Sequence, residues 1–150
     1  MLRDDRQVAL GEVVVACKHA ADQYREEAGL AEDRALEQTL GELAARREEQ
    51  ALSLEAHIRA LGDLPREPDA DRETVSGLLT RLRAHFAANP RGALLSGAIE
   101  SEQELAARID EALREDLPEQ AAQALQHLRE DVTSTIGRVR DANPSTDQSS

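Results

Sequence analysis

Aromatic side chains are nearly missing from this 150-residue chain: Tyr24 and Phe86 are the only two, and there is no tryptophan. Any core must therefore be aliphatic. Cys17 is the single cysteine, which excludes an intrachain disulfide and leaves nothing that asks for an oxidising compartment. Lysine is reduced to Lys18, and the 18 basic residues face 30 acidic ones for a net charge of -12. A surplus of that sign weighs against nucleic acid and against anionic membrane as partners. The arginine pairs Arg46-Arg47, Arg81/Arg83 and Arg138/Arg140 are scattered among acids without aromatic interleaving. No run approaches the roughly 18 apolar residues of a membrane span, and the opening Met1-Leu2-Arg3-Asp4-Asp5 lacks the apolar stretch of a signal peptide. A cytoplasmic location is expected. Valine and isoleucine are sparse, so nothing favours a sheet.

The chain is rich instead in Ala, Leu, Glu, Arg and Gln, which lose little side-chain freedom in a helix. That alanine content, with arginine preferred so heavily over lysine, is the composition of a GC-rich bacterial genome. Apolar residues recur in steps of three and four, which predicts four long amphipathic helices. The first runs from about residue 4 to 28 on Leu10, Val14, Cys17, Ala21, Tyr24 and Ala28, with Asp4 or Asp5 as cap and Gly29 as stop. The second, from about 32 to 61, carries Leu36, Leu40, Leu43, Arg47, Leu54, Ile58 and Leu61, and is ended by Gly62 with Pro65 and Pro68 behind it. A third, from about 92 to 116, carries Leu95, Ala98, Glu102, Leu105, Ile109 and Ala112. The fourth follows Leu117-Pro118 and runs to about 142 on Ala121, Leu125, Leu128, Val132, Thr135 and Val139.

Between the second and third, residues 63–91 form a long connection in which Val75, Leu78, Leu79, Leu82 and Phe86 mark a short amphipathic helix closed by Asn89-Pro90. Tight breaks inside each half imply two antiparallel hairpins, and the long connection can carry the chain back along the bundle. The expected fold is all-α, a four-helix bundle of two hairpins joined by a crossover, forming one domain over residues 1–142 with a disordered polar tail over 143–150. An extended coiled-coil dimer is the less favoured alternative.

Three short pieces, Tyr24-Arg25-Glu26-Glu27-Ala28, Leu61-Gly62 with Pro65, and Asp110-Glu111-Ala112-Leu113 with Asp116-Leu117-Pro118, occur in the order seen in a bacterial ferritin-like family of unknown function. The chain resembles that family over about residues 8–140. The resemblance implies the ferritin-like crossover and raises the question of a di-metal site. Such bundles hold two metal ions with a Glu from each of two helices and a Glu-x-x-His from each of the other two, because residues three apart share a helix face. The residues three before His19, His57, His85 and His127 are Ala16, Leu54, Leu82 and Ala124, so the motif is missing, and so is Glu-x-x-Glu. No metal ligand, cofactor or catalytic residue is assigned.

The remaining candidates read mostly as structure. His127 with Glu130 and His19 with Asp22 fit exposed helix-face pairs. His57 fits a hydrogen-bonded bundle-edge histidine, His85 the polar side of the short helix, and Cys17 a buried small hydrophobe. Acidic runs such as Glu26-Glu27, Glu48-Glu49 and Glu100/Glu102/Glu104 read mostly as solvated faces. Phosphate loops and nucleophile elbows are absent.

Arg47 and Glu102 stand out because they interrupt apolar stripes. Either each snorkels to water, or the two form a buried ion pair at the bundle centre with Gln50 satisfying a remaining hydrogen bond and Arg46 as fallback partner. The expected function is a non-enzymatic helical bundle that acts through its surface in interaction or stress, as a homo-oligomer or with a protein partner. Two alternatives are weighed beside it. One is a rearranged metal site using Glu102, His57 and other carboxylates; the other is a small-ligand or lipid binder using an apolar gap between helices.

Overall fold

The computed structural model describes residues 5–62 and 89–142. They form four helices, α1 (Asp5–Leu30), α2 (Arg34–Ala60), α3 (Pro90–Leu113) and α4 (Glu119–Ala142), with no strand among the described residues. The fold is the all-α four-helix bundle that the periodicity implies. The short helix expected at 75–86, His85, the Asp4 cap and the tail from 143 lie outside the described residues.

The helix ends follow local chemistry, with some shifts from the expected bounds. α1 runs through Gly29 to Leu30, so Gly29 does not end it, and the turn to α2 occupies the next three residues. Asp33 caps α2, its side chain accepting from the Ala35 amide at 2.9 Å. Gly62 follows the C-cap with φ +86°, a left-handed conformation that glycine adopts without a Cβ penalty. Asn89-Pro90, expected to close a short helix that lies outside the described residues, opens α3, Asn89 accepting from the Gly92 amide at 3.0 Å and Pro90 sitting in the first turn, where a missing N–H costs nothing. α3 ends at Leu113, three residues short of the expected bound.

Two apolar clusters stack along the bundle and fix the sense of its helices. One joins Leu10, Val14 and Cys17 of α1 to Leu54 and Ile58 of α2, Leu105 and Ile109 of α3, and Leu125 and Leu128 of α4. The other joins Tyr24 of α1 to Leu36 and Leu40 of α2, Leu94 and Leu95 of α3, and Val139 of α4. Early residues of α1 and α4 thus meet late residues of α2 and α3, so α1 runs antiparallel to α2 and α3 and parallel to α4. Each buried leucine contributes about 1.5–3 kcal/mol. That packing also overrides the weak helix propensity of Val13 and Val14, both fully buried. The α4 stripe is buried at all six expected positions.

Candidate functional site

Between the two apolar clusters lies a polar layer. Arg47, eleven residues after Leu36 on the same α2 stripe, has zero exposure, and so does Glu102 on α3. The arginine Nε donates to Glu102 Oε2 at 3.1 Å, and its NH2 group donates to Oε1, a two-pronged contact that suits a planar guanidinium and a carboxylate. Tyr24 of α1 donates its hydroxyl to Glu102 Oε2 at 2.6 Å and also reaches the Ala98 carbonyl at 3.3 Å. On its other side Arg47 NH1 donates to Gln50 Oε1 and to Asp131 Oδ2, each at 2.6 Å, while NH2 reaches Thr135 Oγ1 at 3.2 Å. Gln50 Nε2 and Arg46 NH1 complete the shell, donating to Asp131 Oδ2 at 3.2 Å and Oδ1 at 3.1 Å. All four helices contribute.

The charges balance within the cluster, two guanidinium groups against two carboxylates, which is what makes it tolerable in a dry interior. Burial alone would lower the Arg47 pKa, but the hydrogen bonds and charge of Glu102, then of Asp131, raise it overall. Burial followed by the Glu102 charge pushes the Tyr24 hydroxyl well above its ordinary value, so it remains a donor. Asp131 is only a quarter exposed, which works against ionisation, yet hydrogen bonds from Arg47 and Gln50 and the charges of both arginines hold its carboxyl below the usual range. Cys17 is near enough to feel Arg47 and Glu102, but burial dominates and pushes its thiol up to about 12, so no thiolate is available for attack.

The chemistry of this layer is that of a lock. Both Glu102 oxygens are engaged, and the carboxylate has no surface exposed to a substrate. A general base needs a reachable proton to abstract. A metal would have to displace a fixed guanidinium from the same two oxygens, so the donor set does not fit the di-metal site that the ferritin-like resemblance suggests. Among the described residues, no three His, Cys, Asp or Glu side chains converge as metal ligands. His57 is half-buried and lies ten residues, about 15 Å, along α2 from Arg47. His19 is half-buried, and His127 and Glu130 are exposed. None of them joins Glu102.

Two buried carboxylates escaped the sequence reading. Glu27 is fully buried on α1, which corrects its reading as a solvated residue. The stripe continues from Tyr24 by a step of three to Glu27, while Ala28, one step of four away, is only half-buried. Glu27 Oε1 accepts from Gln23 Nε2 at 2.7 Å, and Oε2 has no partner among the described residues. Burial raises its pKa to about 8, with Gln23 opposing and Glu100 and Glu26 adding. Glu55 of α2 is also buried and pairs with Lys18 of α1 at 2.5 Å. A glutamate on an apolar step was the available signal in each case.

A profile of the family described as a domain of unknown function, DUF2383, matches residues 6–115, which takes in α1, α2 and α3. No curated protein matches the chain, and neither does any solved structure.

Proposed function

The chain belongs to the DUF2383 family of domains of unknown function, and we propose that it is a non-enzymatic, ferritin-like bundle that works by binding, as an interaction or stress-associated protein lacking a di-metal centre. The observation that carries this reading is the Arg47–Glu102 contact at zero exposure. A permanent cation fixed on the central carboxylate supports a bundle without a di-metal centre, because such centres use inward carboxylates as ligands. The parallel sense of α2 and α3, with a long stretch of chain between them, supports the ferritin-like connection. No helix among the described residues is long and apolar enough to cross a membrane, which is consistent with a bundle that presents its acidic surface to other molecules. A homo-oligomer or a protein partner on that surface, in the cytoplasm of a bacterial cell, completes the proposal.

The rearranged metal site is the competing reading, and no cluster of donors among the described residues favours it. Elemental analysis of protein expressed in metal-supplemented medium, combined with sizing in solution, separates the two. The proposal expects no stoichiometric iron, manganese or zinc. A content of roughly one or two ions per chain, the loading of a carboxylate bundle, would overturn it.

A further inference from the structure

α2 and α4 close the bundle less completely than the other neighbouring helices, and a groove of about 330 Å³ opens between them at the end away from Ile58. Its apolar wall is Leu36, Leu43, Leu95 and Val139. Three arginines, Arg46, Arg91 and Arg138, also line it against one carboxylate, Glu42. In a chain of net charge -12 that local balance is inverted. Glu42 accepts a hydrogen bond from Gln38 on its own helix at 3.1 Å. Arg91 is paired with Asp33 at the surface and Arg46 with Asp131. Arg138 has no carboxylate partner among the described residues and reaches only Thr135 Oγ1, at 3.4 Å.

Thr135 links this groove to the central lock. Its buried hydroxyl oxygen accepts from Arg47 on one side and Arg138 on the other, and its own hydrogen is given to no acceptor among the described residues. A hydroxyl proton and an unpaired guanidinium side by side, at the edge of an apolar groove, form a receptor for one anionic group. Size decides what carries that group. At about 330 Å³ the groove falls at the small end of ligand pockets, which run from ~300 to ~1,000 Å³. A methylene takes up about as much room as a water molecule, ~30 Å³ in the liquid, so a chain of roughly eight to ten carbons fills it.

We infer that the α2/α4 groove binds a small amphiphile with a single carboxylate head, the head held by Arg138 and the Thr135 hydroxyl and the chain lying on Leu36, Leu43, Leu95 and Val139. The site is independent of the metal question, since Arg138 makes no hydrogen bond or ion pair with Glu102.

The test is isothermal titration calorimetry of the full chain with decanoate, with decanol as the uncharged comparator. Saturable one-to-one binding of decanoate is expected, at least about tenfold tighter than decanol, the worth of one charge-assisted hydrogen bond. Arg138→Gln should abolish that preference. Thr39→Trp, at an exposed position on the lining, should block both ligands, and Arg140→Gln, exposed and outside the groove, should change nothing. Circular dichroism verifies that each variant retains its helices. Failure of decanoate to bind the wild type, or binding indifferent to both Arg138→Gln and Thr39→Trp, would overturn the inference.

Discussion

Replacing Arg47 with methionine removes five hydrogen bonds at once, to Glu102 (two), Gln50, Asp131 and Thr135. The groups left behind are unequal. Glu102 retains only the Tyr24 hydroxyl, at zero exposure, and must either stay charged in a dry interior or take up a proton. Asp131 is a quarter exposed and keeps Arg46 and Gln50. The loss is therefore set by Glu102, and breaking a buried pair from one side costs about 3–5 kcal/mol. Arg47→Met belongs at the upper end of that range. Glu102→Leu belongs at the lower end, because Arg47 still has Asp131, Gln50 and Thr135 to receive its donors. In the double variant an apolar Met–Leu contact replaces the pair, and Tyr24 keeps the Ala98 carbonyl at 3.3 Å. The double loss should be well below the sum of the single ones, with a coupling energy on the order of 2–3 kcal/mol. Urea denaturation followed by circular dichroism measures all three, provided the slope with denaturant stays constant. Single losses below about 1 kcal/mol, or a double loss equal to the sum, would refute the argument.

Further outcomes follow from other parts of the bundle. Leu40→Ala and Leu128→Ala should each cost about 2–5 kcal/mol, because both side chains are buried and leave cavities, whereas Arg34→Ala and Glu119→Ala, at exposed positions, should be nearly silent in the same denaturation assay. Glu27, raised in the fold from an ordinary 4.5 to about 8, contributes stability in full below the unfolded value and loses it as pH rises toward 8. Glu27→Gln should therefore gain on the wild type across that window, by on the order of 3 kcal/mol at pH 7, and equal pH profiles for the two proteins would contradict the assignment. Cys17, buried with its thiol near 12, should resist a thiol-specific disulfide reagent in the native state and react at once in denaturant.

The helices were legible because each stripe keeps its three-four period over several turns, and the α4 positions from Ala121 to Val139 needed no knowledge of the other helices. Arg47 and Glu102 were legible as departures from that rule, each a charged residue where the period demands an apolar one. The structure brings them together with Gln50, and Arg46 bonds Asp131 instead of Glu102. The rest of the cluster was hidden for physical reasons. Tyr24 and Thr135 pass as ordinary core residues, because an aromatic ring and a β-branched side chain suit an apolar stripe whether or not their hydroxyls are used. Asp131 lies off the α4 stripe, and only the three-dimensional crossing of α2 and α4 puts it beside Arg47. Glu27 was passed over because a carboxylate beside Glu26 looks like a solvated face, although its spacing from Tyr24 placed it inward. The start of α3 was placed two residues late because Asn-Pro was read only as a stop, although the same pair can cap and open a helix.

The account's central claim is that a guanidinium, fixed by Glu102 and shut off from water, occupies the middle of the bundle. Nitrogen-15 NMR of the arginine Nε–H groups reads this directly. The account predicts one strongly protected Nε–H resonance that disappears in Arg47→Met and loses its protection in Glu102→Leu, while exposed arginines exchange freely. If every arginine Nε–H exchanged at the rate of a solvent-exposed side chain, Arg47 would be reaching water and the central claim would be contradicted.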